Sequence, residues 1–307
     1  MDLSKILLGI ATADAIGVPV EFQTRAFLKE NPVTDMQEFG THNQPKGTWS
    51  DDTSLTLCLA ESIVEGLDVN KLAQKFVAWK NDNYWTPHGW IFDIGIGTRI
   101  AIERLEEGTK PELAGGFEER DNGNGSLMRI LPLILFTKNM DIDQHFEWAK
   151  RISSLTHAHI RSVMACFYYL EFAIKIVEGK NVFQAYKDLQ TEIFDYFENI
   201  KINPIEIQKF QRLLFEDISL VQEENIKSTG YVLDTLEASI WSLLTTQNYK
   251  EAVLKAVNLG NDTDTTGAVT GGLAALIYGI DAIPKEWLSV IVRKEDIIKL
   301  CLAYETT

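Results

Sequence analysis

The stretch "RSVMACFYYLEFAIKIVEG", Arg161 to Gly179, is apolar at nearly every position and too long for an ordinary strand. It predicts a long, mostly buried helix that stops at Gly179, the residue type that ends helices most readily. The segments around it carry helical signals too. In "DDTSLTLCLAESIVEGLD" Leu55, Leu59 and Ile63 recur at i, i+4 and i+8, and Gly66 is placed to stop the run. "VNKLAQKFVAWKND" puts Leu72, Phe76 and Trp79 on one face, and "NVFQAYKDLQTEIFDYFENI" reads as amphipathic. "YVLDTLEASIWSLLTTQ" and "NYKEAVLKAVNLG" predict two more helices, the second closing on Gly260. Clean period-2 alternation is scarce. There is no repeat, low-complexity tract or Pro/Gly/Ser linker, so the expectation is one all-α, multi-helix domain over 1–307.

The balance of 29 basic against 44 acidic residues, a formal net charge of −15, argues against binding to nucleic-acid backbone or anionic lipid. It leaves room for a small anionic ligand held by backbone N–H groups or by bound cations. Cys58, Cys166 and Cys301 lie far apart among apolar neighbours and read as buried free thiols in a reducing compartment. The first residues carry Asp2 and Asp14 and no basic leader, and no uninterrupted apolar run reaches membrane-spanning length. A cytoplasmic protein, and a monomer, is the expectation.

Two acidic motifs stand at opposite ends of the chain. "GTWSDDTSLTL" sets Ser50, Asp51 and Asp52 before a helix, and "GNDTDTTG" sets Asp262, Asp264 and Thr265 before a run of small and apolar residues. Helix capping accounts for one Ser, Thr or Asp per helix, but each motif holds two carboxylates and a hydroxyl. Four carboxylates gathered without a partner repel one another, and a cation relieves that. Oxygen ligands without His or Cys select a hard ion such as Mg²⁺, Mn²⁺ or Ca²⁺. An EF-hand is excluded, because counting from Asp262 puts Leu273 where the bidentate Glu belongs. If the motifs meet, six ligands are available, enough for a two-metal site completed by water.

"DNGNGSLMRILPL" offers Gly123 and Gly125 ahead of an apolar run entered through Ser126. Such a segment is either an ordinary glycine-rich turn or a phosphate cradle at a helix start. Arg129 then either reaches a phosphate or serves as an internal ion-pair partner. In "LTHAHI", His157 and His159 diverge on a helix, which disfavours a two-histidine metal pair. One of them contacts a ligand or forms a polar turn.

With these motifs in order, the chain resembles the ADP-ribosylglycohydrolase family. The landmarks are "GIATADAIGVPVEF", "GTWSDDTSL", "GWIFDIGIGT", "DNGNGSLMRILPL", "THAH", "GYVLDTLEASIW" and "GNDTDTTGAVTGGLAALIYG", spanning Gly9 to Gly279. The resemblance implies an orthogonal all-α bundle with two Mg²⁺, or Mn²⁺, held by Ser50, Asp51, Asp52, Asp262, Asp264 and Thr265. Ser50 departs from the Thr common at that position, which keeps the hydroxyl and loses a methyl that restricts its rotamer.

The resemblance further implies a hydrolase that frees ADP-ribose from an acceptor, with Glu21, Asp93 and Asp264 as its catalytic carboxylates. Asp93 would hold a guanidinium, which points to ADP-ribosyl-arginine on a protein. Asn122, Gly123, Asn124, Gly125 and Ser126 would cradle the diphosphate with His157 beside it, and Tyr231 would line the adenosine end. Asp14 reads as structural or supporting. Serine-linked, nucleobase-linked or small ADP-ribose derivatives remain alternative substrates. A nucleotide phosphohydrolase and a catalytically inert homologue are further alternatives.

Overall fold

The computed structural model describes residues 2–306, and among them there is no β-strand. Helices fill the expected segments. The helix that begins at Ile160 runs to Val177, and Gly179 adopts φ +92 just past its end. The helix Asp51–Val64 is likewise followed by Gly66 at φ +95. Both glycines occupy the left-handed region that side chains with a Cβ rarely adopt. Helices Val69–Asp82, Val182–Asn199, Val232–Leu244 and Tyr249–Val257 match the other periodic runs. The last of these stops before Gly260, whose φ of +81 lets residues 23–25 pass against it.

The centre of the fold is the pairing of Leu3–Gly17 with Thr263–Tyr278. Glycine and alanine let the two backbones nearly touch. A Cβ built on Gly271 would stand 2.3 Å from the Ala13 Cβ, and one on Gly17 would stand 2.4 Å from the Asp264 Cα. Buried hydroxyls reinforce the arrangement: Thr263 donates to the Gly17 carbonyl at 2.8 Å within the pair, and Tyr249 of a neighbouring helix to that of Gly9 at 2.7 Å. Leu3–Val20 is the one described stretch long and apolar enough to cross a membrane. It is instead a core helix, with every residue from Ile6 to Glu21 buried. This pairing sets the chain just after Gly17 against the start of the 263–278 helix, and so brings Glu21 close to Asp264.

Candidate active site

The two acidic motifs converge. Thr265 Oγ1 donates to Asp52 Oδ2 at 3.2 Å across 213 positions of sequence. Ser50 is the N-cap of its helix and also donates to Asp52 Oδ2, at 3.1 Å. Asp14, wholly buried on the N-terminal helix, accepts from the amides of Ser50 and Thr53 and from the Thr53 hydroxyl at 2.6 Å. It thereby fixes the irregular entry that lets Ser50, Asp51 and Asp52 share a site, the supporting role expected of it.

Capping does not account for the second motif. Asp262 stands at the N-cap of 263–278, yet its side chain makes no cap hydrogen bond. Its Oδ2 accepts from Asn124 Nδ2 at 2.8 Å, and its Oδ1 is buried with no partner. Asp52 Oδ1 and Asp264 Oδ2 are buried and unpartnered as well. No Lys or Arg among the described residues pairs with these acids, and Asp51 is held well above the usual carboxylate range. Burial is the largest cause, followed by Asp93 and Asp52. Asp52 and Asp264 are also held well above the usual carboxylate range, and Asp262 above it, chiefly by burial. Buried acceptors without donors, crowded by like charge, are a donor set suited to a hard divalent cation.

Asp51, Asp262 and Thr265 line a cleft of about 370 Å³ together with Glu21 and Asp93. Oxygens of Glu21, Asp93 and Asp264 lie within 4.8 Å of one another. Burial raises Glu21 to about 7, against a hydrogen bond from His42 that pulls it down. The loops that carry Glu21 and Asp262 are tied reciprocally: Phe22 N–H donates to the Asn261 carbonyl, and Asn261 N–H to that of Gln23, both at 2.7 Å. Phe22 and Asn261 each have positive φ, +65 and +61, a conformation unusual for a bulky side chain such as Phe22.

The glycine segment forms the far wall of the cleft and does not start a helix. Turns run on from Asn124, and a 3₁₀ turn containing Pro132 follows. Gly123 pairs with Tyr231 in an isolated bridge. The Ser126 hydroxyl points into the core, where it accepts from Ser153 at 2.9 Å. Asn122 is buried, donating to the Glu119 carbonyl and accepting from Ser162. What this segment offers the cleft is therefore the backbone of Gly123 and Gly125 and the side chain of Asn124. The Tyr231 hydroxyl accepts from Arg161 at 3.1 Å, so this residue anchors the wall through its backbone bridge.

The two histidines divide as their surroundings dictate. His159 caps the 160–177 helix by accepting from Arg161 N–H at 3.1 Å. His157 lies beneath the glycines, with Nε2 3.1 Å from a Cβ built on Gly123 and 3.2 Å from one on Gly97. Burial, with Arg129 nearby, lowers His157 to about 3, so the ring is neutral. Arg129 neither reaches the cleft nor finds a carboxylate. It is fully buried, donates to the carbonyls of Gly125 and Ile152, and lies over the Phe76 ring at 4.9 Å.

A model of the ADP-ribosylglycohydrolase family matches residues 4–306. The chain belongs to the ADP-ribosylglycohydrolase family. It is 33% identical over 301 residues to ADP-ribosylarginine hydrolase Tri1 of Serratia proteamaculans, covering 96% of this chain and 76% of that one. It is 28% identical to the ADP-ribosyl-[dinitrogen reductase] glycohydrolase of Rhodospirillum rubrum, covering 94% and 89%. A solved ADP-ribosylglycohydrolase-related protein complex aligns with TM-score 0.80 and 30% identity over 99% of this chain and 96% of that chain. The fold is thus the all-α fold of this family, and the protein is a hydrolase, an ADP-ribosyl glycohydrolase.

Sequence reasoning missed His42 altogether. It sits in the polar stretch "GTHNQPKG", without periodicity or a partner in sequence, and its Nε2 hydrogen-bonds the Glu21 carboxylate. The link from Asn124 to Asp262 was also unforeseen, since Asn124 read only as part of the glycine cradle.

Proposed function

We propose that this ADP-ribosyl glycohydrolase is metal-dependent and acts on ADP-ribosyl-arginine carried by a protein. The observation that carries the reading is the set of buried, unpartnered oxygens on Asp52, Asp262 and Asp264, with Glu21 and Asp93 lining the cleft beside Asp262 and lying close to Asp264. Ser50, Asp51, Asp52, Asp262, Asp264 and Thr265 are the residues that would hold two Mg²⁺ or Mn²⁺. Bound there, the metals would supply positive charge to the ribose hydroxyls and acidify a water.

The protein's own groups supply the rest of the chemistry. Hydrolysis adds water across the bond between the anomeric carbon and the arginine nitrogen. The carbon takes the hydroxyl, and the leaving guanidine takes the proton. The ring acquires cationic character on the way, as in other glycoside hydrolyses. Glu21 is the group to move the proton, because its carboxylate is buried in the cleft and held from one side. Asp93 is half-buried beside it and suits a guanidinium as a charged hydrogen-bond partner. Backbone at Gly123 and Gly125, backed by the neutral His157, is left for the diphosphate, whose binding would position the reacting carbon. The arginine acceptor draws support from Asp93 and from the name of the Serratia relative. A cytoplasmic setting is part of the proposal, supported by three buried free cysteines.

The test is release of free ADP-ribose from ADP-ribosyl-arginine, with Mg²⁺ and again with excess EDTA. Release that stops with EDTA is expected. Equal release in both would refute the metal dependence, and no release from folded protein would refute the arginine acceptor.

A further inference from the structure

We infer that His42 is a positioning residue for the reaction, holding the Glu21 carboxylate in the cleft against the repulsion of its acidic neighbours. The inference rests on the proposed role of Glu21. Oxygens of Asp93 and Asp264 lie within 4.8 Å of a Glu21 oxygen, so a free carboxylate at this position is driven away from them. Among the described residues the only side chain bonded to it is His42, whose Nε2 donates to Oε2.

The loop that delivers His42 is built for close approach. It is a short 3₁₀ turn, Gly40–His42, between Phe39 at φ +63 and Asn43 at φ +51. Left-handed backbone at a phenylalanine persists only where the surroundings impose it. Here the imposing contacts run to the Glu21 turn itself. Thr41 Oγ1 donates to the Glu21 carbonyl at 2.6 Å, and a Cβ on Gly40 would stand 1.9 Å from the Pro19 carbonyl oxygen. Gln44 Nε2 donates to the His42 carbonyl at 2.9 Å. The imidazole lies between Phe22, with centroids 5.9 Å apart, and Phe92, 5.2 Å apart. Phe22 follows Glu21 and Phe92 precedes Asp93, so one ring is bracketed by the neighbours of both carboxylates. An anchor that only stabilised the loop would have no need of a ring nitrogen on the carboxylate.

The experiment compares wild type, His42→Ala and His42→Gln for release of ADP-ribose from ADP-ribosyl-arginine, with Mg²⁺ affinity measured by calorimetry. For His42→Ala, kcat is expected to fall by about tenfold or more, as for loss of a group that orients an acid–base residue. KM and Mg²⁺ affinity should stay within about twofold of wild type. His42→Gln, which retains an N–H donor, should recover part of the loss, and added imidazole should raise the Ala variant alone. The contact is also read without turnover. In histidine-ring ¹H–¹⁵N spectra of a chain with five histidines, the signal absent from His42→Gln should move in Glu21→Gln.

An Ala variant with wild-type kcat overturns the inference. So does joint loss of kcat, KM and Mg²⁺ affinity without rescue by Gln or imidazole, which would make the loop merely structural. Wild type inactive on ADP-ribosyl-arginine refutes the substrate reading instead. The ring spectra then decide this one, and a His42 signal unmoved by Glu21→Gln overturns it.

Discussion

Replacing Asp264 by Asn separates a metal ligand from a helix cap, because only the first role predicts a gain in stability without metal. Asp264 is 1% exposed. Its Oδ1 accepts from Thr265 N–H at 2.9 Å, a bond that the Asn carbonyl retains, while its unpartnered Oδ2 becomes a donor among acceptors. Two full charges 4.8 Å apart repel by about 3.5 kcal/mol at an effective dielectric of about 20. The metal-free site takes up protons and escapes part of that, so the substitution should stabilise the apo protein by about 1–3 kcal/mol. For a chain of this size that is a rise in Tm of about 2–5 °C. Wild type should in turn gain about 2.7 kcal/mol from Mg²⁺ at a hundredfold excess over Kd. The variant should gain little and lose its activity. The assay is thermal unfolding of both proteins in EDTA and in Mg²⁺, followed by ADP-ribose release. Wild type should be the less stable in EDTA, with the gap closing or reversing in Mg²⁺. A variant no more stable than wild type in EDTA that still hydrolyses substrate would refute the reasoning, since Asn serves a helix start as well as Asp does.

Asp93→Asn should cost about 2 kcal/mol of transition-state stabilisation on ADP-ribosyl-arginine, roughly thirtyfold in kcat/KM, with ADP-ribose affinity unchanged. Steady-state kinetics with calorimetry on the product checks both halves, and an unchanged kcat/KM removes the guanidinium role. Gly125→Ala places a Cβ 2.8 Å from both His157 Cε1 and Thr98 Oγ1, so the wall must shift, and ADP-ribose affinity should fall by about tenfold. Titration calorimetry reads it, and wild-type affinity would clear the glycine wall of any part in binding. Away from the site, burial raises Glu237 from 4.5 to about 7 despite Arg212. The native state therefore binds more protons than the unfolded chain between those pH values, and stability falls as pH rises through them. The shift corresponds to about 3 kcal/mol. Glu237→Gln should be close to neutral near pH 4.5 and gain on wild type toward pH 8, measured by urea unfolding at each pH, and a pH-independent difference would contradict the sign.

What could be read from the sequence divides by the range of the interaction. Helix periodicity and the stops at Gly66 and Gly179 are local, and both appear where expected. The hydroxyl–carboxylate clusters at 50–52 and 262–265 are also local, and their excess over capping needs was visible. Their meeting was not, because it depends on Gly9, Gly17 and Gly271 admitting two helices to near backbone contact across the whole length of the chain. The same glycines in isolation look like weak helix formers. The direction of the Ser126 side chain was hidden for a different reason. It follows from residues 125–129 folding as turns, which sets backbone toward the cleft and the Ser126 hydroxyl in the core, where it accepts from Ser153.

Arg129 shows why the two halves of the cleft can lie side by side. A buried guanidinium without a carboxylate is costly, and this one is depressed to about 10 by burial. Donation to the Gly125 carbonyl holds that peptide from behind, where a side chain from the cleft itself would block the ligand. The same charge helps keep His157 neutral, so the ring under the glycines adds no second cation. No Lys or Arg among the described residues meanwhile pairs with the aspartates of the two acidic motifs, and Asp52, Asp262 and Asp264 keep oxygens free. A protein cation beside Asp262 would have neutralised those oxygens and left nothing for the proposed metals. Placing the positive charge one layer behind the glycine wall would favour the proposed diphosphate while leaving the carboxylates open to the proposed metals.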